Sequence, residues 1–593
     1  MPRLTALGVV LVCALSPFAA AGEAQPAVLN LLPPQPLAIV RAIGLGTEWQ
    51  LLKVSDFAEQ FQQAATPEVA GQLQQIRNGL AQLQMNMGVN AEELLSNVIG
   101  IDCVLAVYGP GDGVFIAENT VPALLRDAAE KILIFERAAG KVQAENAQTY
   151  KLVEICQTTY TQRNPDVPPK MRFHCIVGNT LVAGSNLDTI KLVVDRATAE
   201  NPPAAEGEAA TAFAAMNQNA ILQAYVDTDA ISRKFDVQAA LEGKIRHPLS
   251  RFFIAKLKEA LPLVQYVACT VMPKEDGKLE FRSSAIFDEQ TWPESMKAML
   301  PKTAGSPDIL QLAPDSAAFC VGHQVNKAAL WQYIIDTVSA INPRRAERMK
   351  NGANWVAGMI GGLSSDQLLA SLGDQVGVFI TSRDAPDAVP VVSLAFEVRD
   401  KDTEAQEILT AIRSLAGAVA GLAQMQAANT NTPAKAVLES NSYKDVPFTT
   451  LRLTEENFAG NLNVTLFVLD DHVIVSSNID GAQAIVDRHA AGKKDLAKAF
   501  DLPNIADPLA FAGKFDARLA NQTVFRHRTF LINDNVRKGK PREQAEKDID
   551  NLIFLLGMID NISFYSTYVP GRIDRVCTLK FAGRDGQSNA ATE

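Results

Sequence analysis

Two rhythms of apolar and polar positions alternate along this chain. A short apolar run at 37–42, led in by Leu32-Pro33-Pro34-Gln35-Pro36, predicts a strand. Residues 47–62 carry Leu51, Leu52, Phe57 and Phe61 at helical spacing. A longer helix is expected next, with Thr66 as N-cap, Pro67 at the first helical position and Gly88 as its stop. Its apolar Val69, Leu73, Ile76, Leu80, Leu83 and Met87 recur at spacings of four and three. Residues 103–108 and 114–117 read as a hairpin around Gly109-Pro110-Gly111-Asp112-Gly113. A helix over 121–138 follows, then strands at 151–157, 172–177 and 180–183, and a helix over 187–197. Further strands are expected at 222–227, 267–272 and 279–286. Strands joined by hairpins, with grouped helices, predict an α+β fold with a largely antiparallel sheet and packed helices.

The same pattern is written a second time. Trp49-Gln50-Leu51-Leu52 returns as Trp331-Gln332-Tyr333-Ile334, Thr66-Pro67 as Asn342-Pro343, and Tyr150-Lys151 as Tyr443-Lys444. The segment from Ser185-Asn186-Leu187-Asp188 to Val194-Asp195-Arg196 returns as Ser477-Asn478-Ile479-Asp480 to Val486-Asp487-Arg488, six of twelve positions being identical. Matches in one order, with slowly drifting offsets, predict two tandem copies of a mixed unit, over 28–290 and 308–585, with a flexible tail at 586–593. In the second copy Ala346, Met349, Ala353, Val356, Ile360 and Leu363 keep the helical rhythm more loosely.

Leu32-Pro33, Leu312 with Pro314-Asp315-Ser316, Leu372-Gly373-Asp374 and the two Ser-Asn-x-Asp segments together resemble a bacterial family of exported proteins catalogued as a domain of unknown function. The family's members open with a Leu-Pro-Ala-Asp-Thr-like segment entering a strand. This chain has Pro34-Gln35-Pro36 at that place, and Ile99-Gly100-Ile101-Asp102 where the first copy would carry Leu-Gly-Asp. The resemblance implies no reaction and no catalytic residues.

The first residues add an address. Arg3 is the only charged residue before Glu23, and an apolar run between them ends at Ala19-Ala20-Ala21-Gly22. That is the pattern of a cleaved secretory signal over 1–22. An uncleaved anchor and a lipoprotein signal at Cys13 are the alternatives, the latter weakened by bulky Val12. The net charge of −11 becomes −12 once Arg3 is removed with the signal. A chain this acidic has no global attraction for phosphate backbones, so nucleic acid is not expected as a partner. No later segment has the apolar length of a transmembrane helix, 414–428 being the nearest. An exported protein, periplasmic or extracellular, is expected.

Candidate chemistry is sparse. None of His174, His247, His323, His472, His489 and His527 falls in a close metal-ligand spacing, and no C-x-x-C, phosphate loop or activated-serine motif occurs. No cofactor, metal or catalytic residue is therefore assigned. Each Ser-x-x-Asp reads as a capping box, and the 69–87 stripe as packing against the chain's own sheet, with a partner helix as the alternative. Two features belong to one copy only. Cys156 and Cys175 fall on neighbouring strands, where an oxidising compartment permits a disulfide, against the alternative of two small buried thiols. Arg537, Lys538, Lys540 and Arg542 form a basic stretch, preceded by Arg526-His527-Arg528, that would meet an anionic envelope surface or simply be a solvated loop. The expectation is a non-enzymatic envelope protein that binds a partner or ligand. An exported hydrolase with its site assembled between the copies is the rival.

Overall fold

The fold is described from a computed structural model. The described residues are 27–44, 101–118, 122–138, 140–161, 169–200, 206–234, 261–274, 277–300, 307–359, 364–382, 390–399, 436–453, 463–502 and 508–582, with a few isolated positions. The chain divides into two units, Met1–Asp288 and Glu289–Glu593. The expected helices at 47–62 and, apart from Met85, at 66–88 lie outside the described residues, as do His247 and most of 414–428.

The described strands of the first unit are β1 (Ala38–Ile43), β2 (Asp102–Gly109), β3 (Asp112–Glu118), β4 (Val142–Tyr150), β5 (Val153–Tyr160), β6 (Met171–Val177), β7 (Thr180–Gly184), β8 (Leu222–Asp227), β9 (Tyr266–Lys274) and β10 (Lys278–Ile286). They pair antiparallel throughout, in the order β4-β5-β6-β7-β3-β2-β1-β8-β9-β10. The second unit holds β11 (Ala317–Gln324), β12 (Leu372–Thr381), β13 (Val391–Val398), β14 (Ala436–Tyr443), β15 (Val446–Leu453), β16 (Asn463–Leu469), β17 (His472–Ser476), β18 (Leu509–Asp516), β19 (Ile559–Val569) and β20 (Arg572–Phe581). Their order is β14-β15-β16-β17-β13-β12-β11-β18-β19-β20, again antiparallel. Strand for strand, the two orders are the same.

Each sheet buries one face under corresponding helices. In the first unit Ile190, Val193 and Val194 of the helix Leu187–Ala197 pack on Ile39, Val104, Ile116, Ile155, Phe173 and Val182. In the second, Ile485 and Val486 of the helix Ile479–Ala490 pack on Cys320, Phe379, Ala395, Phe467 and Ile474. The short helix Ala27–Asn30 brings Val28 and Leu29 to the first core, and the 3-10 turn Asp308–Leu312 brings Ile309 and Leu310 to the second. Two glycines are required, one by a turn and one by a close approach. Gly111, at φ +75°, turns the β2–β3 hairpin, and a Cβ at Gly373 would meet the Glu397 side chain at 2.5 Å.

The repeated words of the sequence are one mechanical device. In the first unit the β4–β5 turn presents Tyr150 and Lys151 to Asp195 of the helix: the phenol donates at 2.9 Å and the ammonium lies at 2.7 Å. In the second, Tyr443 and Lys444 meet Asp487 at 2.9 and 2.8 Å. Both turns run through two residues of positive φ, Lys151-Leu152 and Lys444-Asp445, as a two-residue hairpin demands. Lys151 therefore belongs to the turn, and the strand expected from 151 begins at Val153.

The expected capping box is corrected. Asn186 and Asn478, not the serines, are the N-caps, each accepting from the backbone N–H two residues on, at 3.0 Å. The serines instead tie helix to sheet: Ser185 Oγ accepts from Gly113 N at 3.2 Å and Ser477 Oγ from Val392 N at 3.0 Å. Asparagine and serine compete for the same role by the same chemistry, and the chain enters the helix one residue later than a Ser cap requires.

Candidate functional site

The face of β4–β6 turned away from the first core carries the least ordinary chemistry among the described residues. Pairing sets it out in rows. Glu145, Thr158 and Arg172 stand directly opposite one another across three strands, and so do Ala147, Cys156 and His174. In the second unit the corresponding rows, aligned by the Tyr-Lys turn, read Leu438, Leu451, Val464 and Ser440, Thr449, Leu466. There Leu466 packs with Leu451, Val468 and Val475 as a small apolar cluster, and Arg413 Nε donates to Thr449 Oγ1 at 2.7 Å. One place in the fold is thus charged and polar in one unit and largely aliphatic in the other.

Two acids reach the polar face and are held there. Glu136, near the end of the helix Pro122–Ala138, accepts from Arg172 Nη2 at 2.8 Å and from the Tyr160 hydroxyl at 3.1 Å. The Arg172 guanidinium lies 5.5 Å from the centre of the Tyr160 ring, within cation–π range. Glu145 pairs with Arg137, whose hydrogen bonds hold its carboxyl below the usual range. Each acid is matched by a base.

Between these pairs sit neutral groups. Thr158 is 1% exposed, and its hydroxyl has no hydrogen-bond partner among the described residues. His174 Nδ1 is likewise buried without a partner among them. Burial first, and then the charge of Arg172, push the His174 imidazole below its ordinary value, so it is neutral at pH 7. Burial also raises the Cys156 thiol, helped by Glu154 and Glu145.

The expected Cys156–Cys175 disulfide is not formed; both cysteines are free. Register is the reason. Cys156 stands opposite His174, so the next residue, Cys175, projects through the other face into the core. There burial pushes its thiol up to about 12. The cysteine difference between the two units did mark this layer, but the partner it pointed to was one residue off.

Other clusters are spent inside their own units. In the first, Arg41 is 5% exposed and holds Asp102 with two hydrogen bonds, of 2.9 and 2.8 Å, while Nη1 donates to Gln223. In the second, Lys327 Nζ donates to the carbonyls of Gly373 and Gln375, and Glu397 accepts from Gln375 N at 2.8 Å. These bonds bind the irregular start of β12, so the Leu372-Gly373-Asp374 motif marks a bulge in the ladder. Burial pushes Lys327 down to about 8, against the opposing pull of Glu397 and Asp374. Buried polar atoms without partners among the described residues also occur in the second unit, at His323, Asn463, Arg488, Asn521, His527 and Asn551, but these are scattered over separate elements.

The basic stretch is the bend between two helices, Arg528–Arg537 and Arg542–Gly557. All four side chains are paired with acids: Arg537 and Lys538 with Asp534, Lys540 with Asp548, and Arg542 with Glu546. No group of three or more His, Cys, Asp or Glu able to hold a metal occurs among the described residues, and no described helix is long and apolar enough to cross a membrane.

No family model, curated protein or solved structure matches the chain.

Proposed function

We propose that this chain is an exported, non-enzymatic binding protein built from two tandem copies of one unit, and that the polar layer of the first unit is its ligand-selective element. The carrying observation is the contrast at corresponding positions: Glu145, Thr158, Arg172 and His174 against Leu438, Leu451, Val464 and Leu466. The second unit meets the needs of the fold with an aliphatic layer. A buried hydroxyl and imidazole nitrogen without partners cost free energy, and such a cost is typical of a site kept for something other than stability. The repeated Tyr-Lys and Ser-Asn-x-Asp motifs support the duplication, and the first 22 residues support export. The resemblance to an exported bacterial family agrees with both.

The experiment is native mass spectrometry of the protein purified without denaturation from its own envelope. The reading expects a bound low-mass species, lost when Thr158 and His174 are replaced by Leu. A bare polypeptide mass, or a bound species indifferent to both changes, would contradict it. Turnover abolished by changes elsewhere would favour the hydrolase.

A further inference from the structure

The pair Cys156 and His174, one row along from the unpartnered Thr158 hydroxyl, carries the argument one step further. This step rests on the reading of the polar layer as a binding site and names its ligand class. The two residues are direct cross-strand partners, which places their Cβ atoms roughly 4.5–5.5 Å apart. A sulfur–metal–nitrogen bridge spans roughly 4 Å, so one ion fits between side chains that start from this spacing. Cys156 is unbridged, and His174 Nδ1 is buried without a hydrogen-bond partner among the described residues.

We propose that Cys156 and His174 bind one soft monovalent metal ion, copper(I) or silver(I), in two-coordinate geometry. Several facts select this class. The Cys156–His174 row holds two soft donors, and no cluster of three or more candidate ligands occurs among the described residues. Zinc sites want four ligands or three and a water, whereas thiolate with imidazole suits copper(I). Charge agrees as well. On binding, the Cys156 thiol gives its proton to solvent, and thiolate plus monovalent cation is neutral overall. Glu136 is already matched by Arg172 and Glu145 by Arg137. A divalent ion would leave an uncompensated charge beside Arg172. The neutral imidazole needs no deprotonation to act as a ligand. Cys175, on the other face, takes no part. The second unit, with Thr449 and Leu466 at these places, has no such pair.

The test is competition for copper(I) between the reduced mature protein and a colorimetric copper(I) chelator, with zinc(II) as the contrasting probe. The expected result is one copper(I) held per chain. Cys156→Ser and His174→Gln should each weaken retention at least tenfold, and Cys175→Ser should leave it unchanged. Far-UV circular dichroism on each variant checks that the fold persists. No retained copper(I), or retention unaffected by Cys156→Ser and His174→Gln, would overturn the proposal, as would tighter binding of zinc(II) than of copper(I). Were Thr158→Val to stabilise the protein while no copper(I) is held, only the metal assignment would fall, and the polar layer would stand as a site for another ligand.

Discussion

Asp102 and Arg41 form the most deeply buried ion pair described in the first unit, each 9% exposed or less at its side chain. Removing one partner strands the other in a low-dielectric interior. Asp102→Ala should therefore cost about 3–5 kcal/mol, read as a fall in the urea midpoint of the first transition. A loss below about 1 kcal/mol would mean that water reaches Arg41. His174 gives a second residue-scale prediction. Burial lowers its folded pKa below 6.5, so the folded state binds its proton less readily than the unfolded one does. Stability then falls as pH drops through 6.5 toward the depressed value, and is regained as pH rises. His174→Leu should flatten part of that slope as pH falls below 6.5. An unchanged slope would show that water reaches the imidazole and that burial does not lower its pKa.

At the scale of elements, the helices Leu187–Ala197 and Ile479–Ala490 are fixed by equivalent contacts: an asparagine cap, a serine tie to the neighbouring strand, and a Tyr-Lys clamp on one aspartate. Asn186→Ala and Asn478→Ala should each cost about 0.5–2 kcal/mol, measurable by urea denaturation. An effect in one unit only would show that the caps are not equivalent. Much of this was legible in the sequence, because caps and turns need particular side chains at fixed spacing. The expected strand at 222–227 and helix over 187–197 agree with the structure to the residue, the helix through its strong apolar period, whereas the strand buries Gln223 and Tyr225. β4, with Val142 and Ala144 among Gln, Glu, Asn and Thr, carries no such period and was missed. It is an edge strand with both faces largely exposed, so burial never shaped its pattern. The polar layer was legible only as a missing cysteine pair. Its other members come from separate strands and a helix, and only their register assembles them.

For the molecule as a whole, two units with one strand order divide the labour unequally. The first keeps the buried Arg41–Asp102 pair and the polar layer. The second keeps the Lys327-bound bulge and an aliphatic counterpart. The four basic side chains of its bend share three acids, Asp534, Glu546 and Asp548, so most of their charge is offset within the Debye length of about 8 Å at physiological salt. Sedimentation with anionic vesicles at that salt should be no greater for the native chain than for a variant with Arg537, Lys538, Lys540 and Arg542 changed to Gln. Strong binding lost in the variant would restore the anionic surface as a partner. The central claim, that the polar layer is kept for a ligand rather than for the fold, is tested most directly by equilibrium urea unfolding of Thr158→Val combined with His174→Leu. Removing an unpartnered buried hydroxyl and imidazole should stabilise the ligand-free first unit by about 1–3 kcal/mol, as a higher midpoint with an unchanged slope. A lower midpoint would mean that these side chains hold the unit together, and would contradict the account.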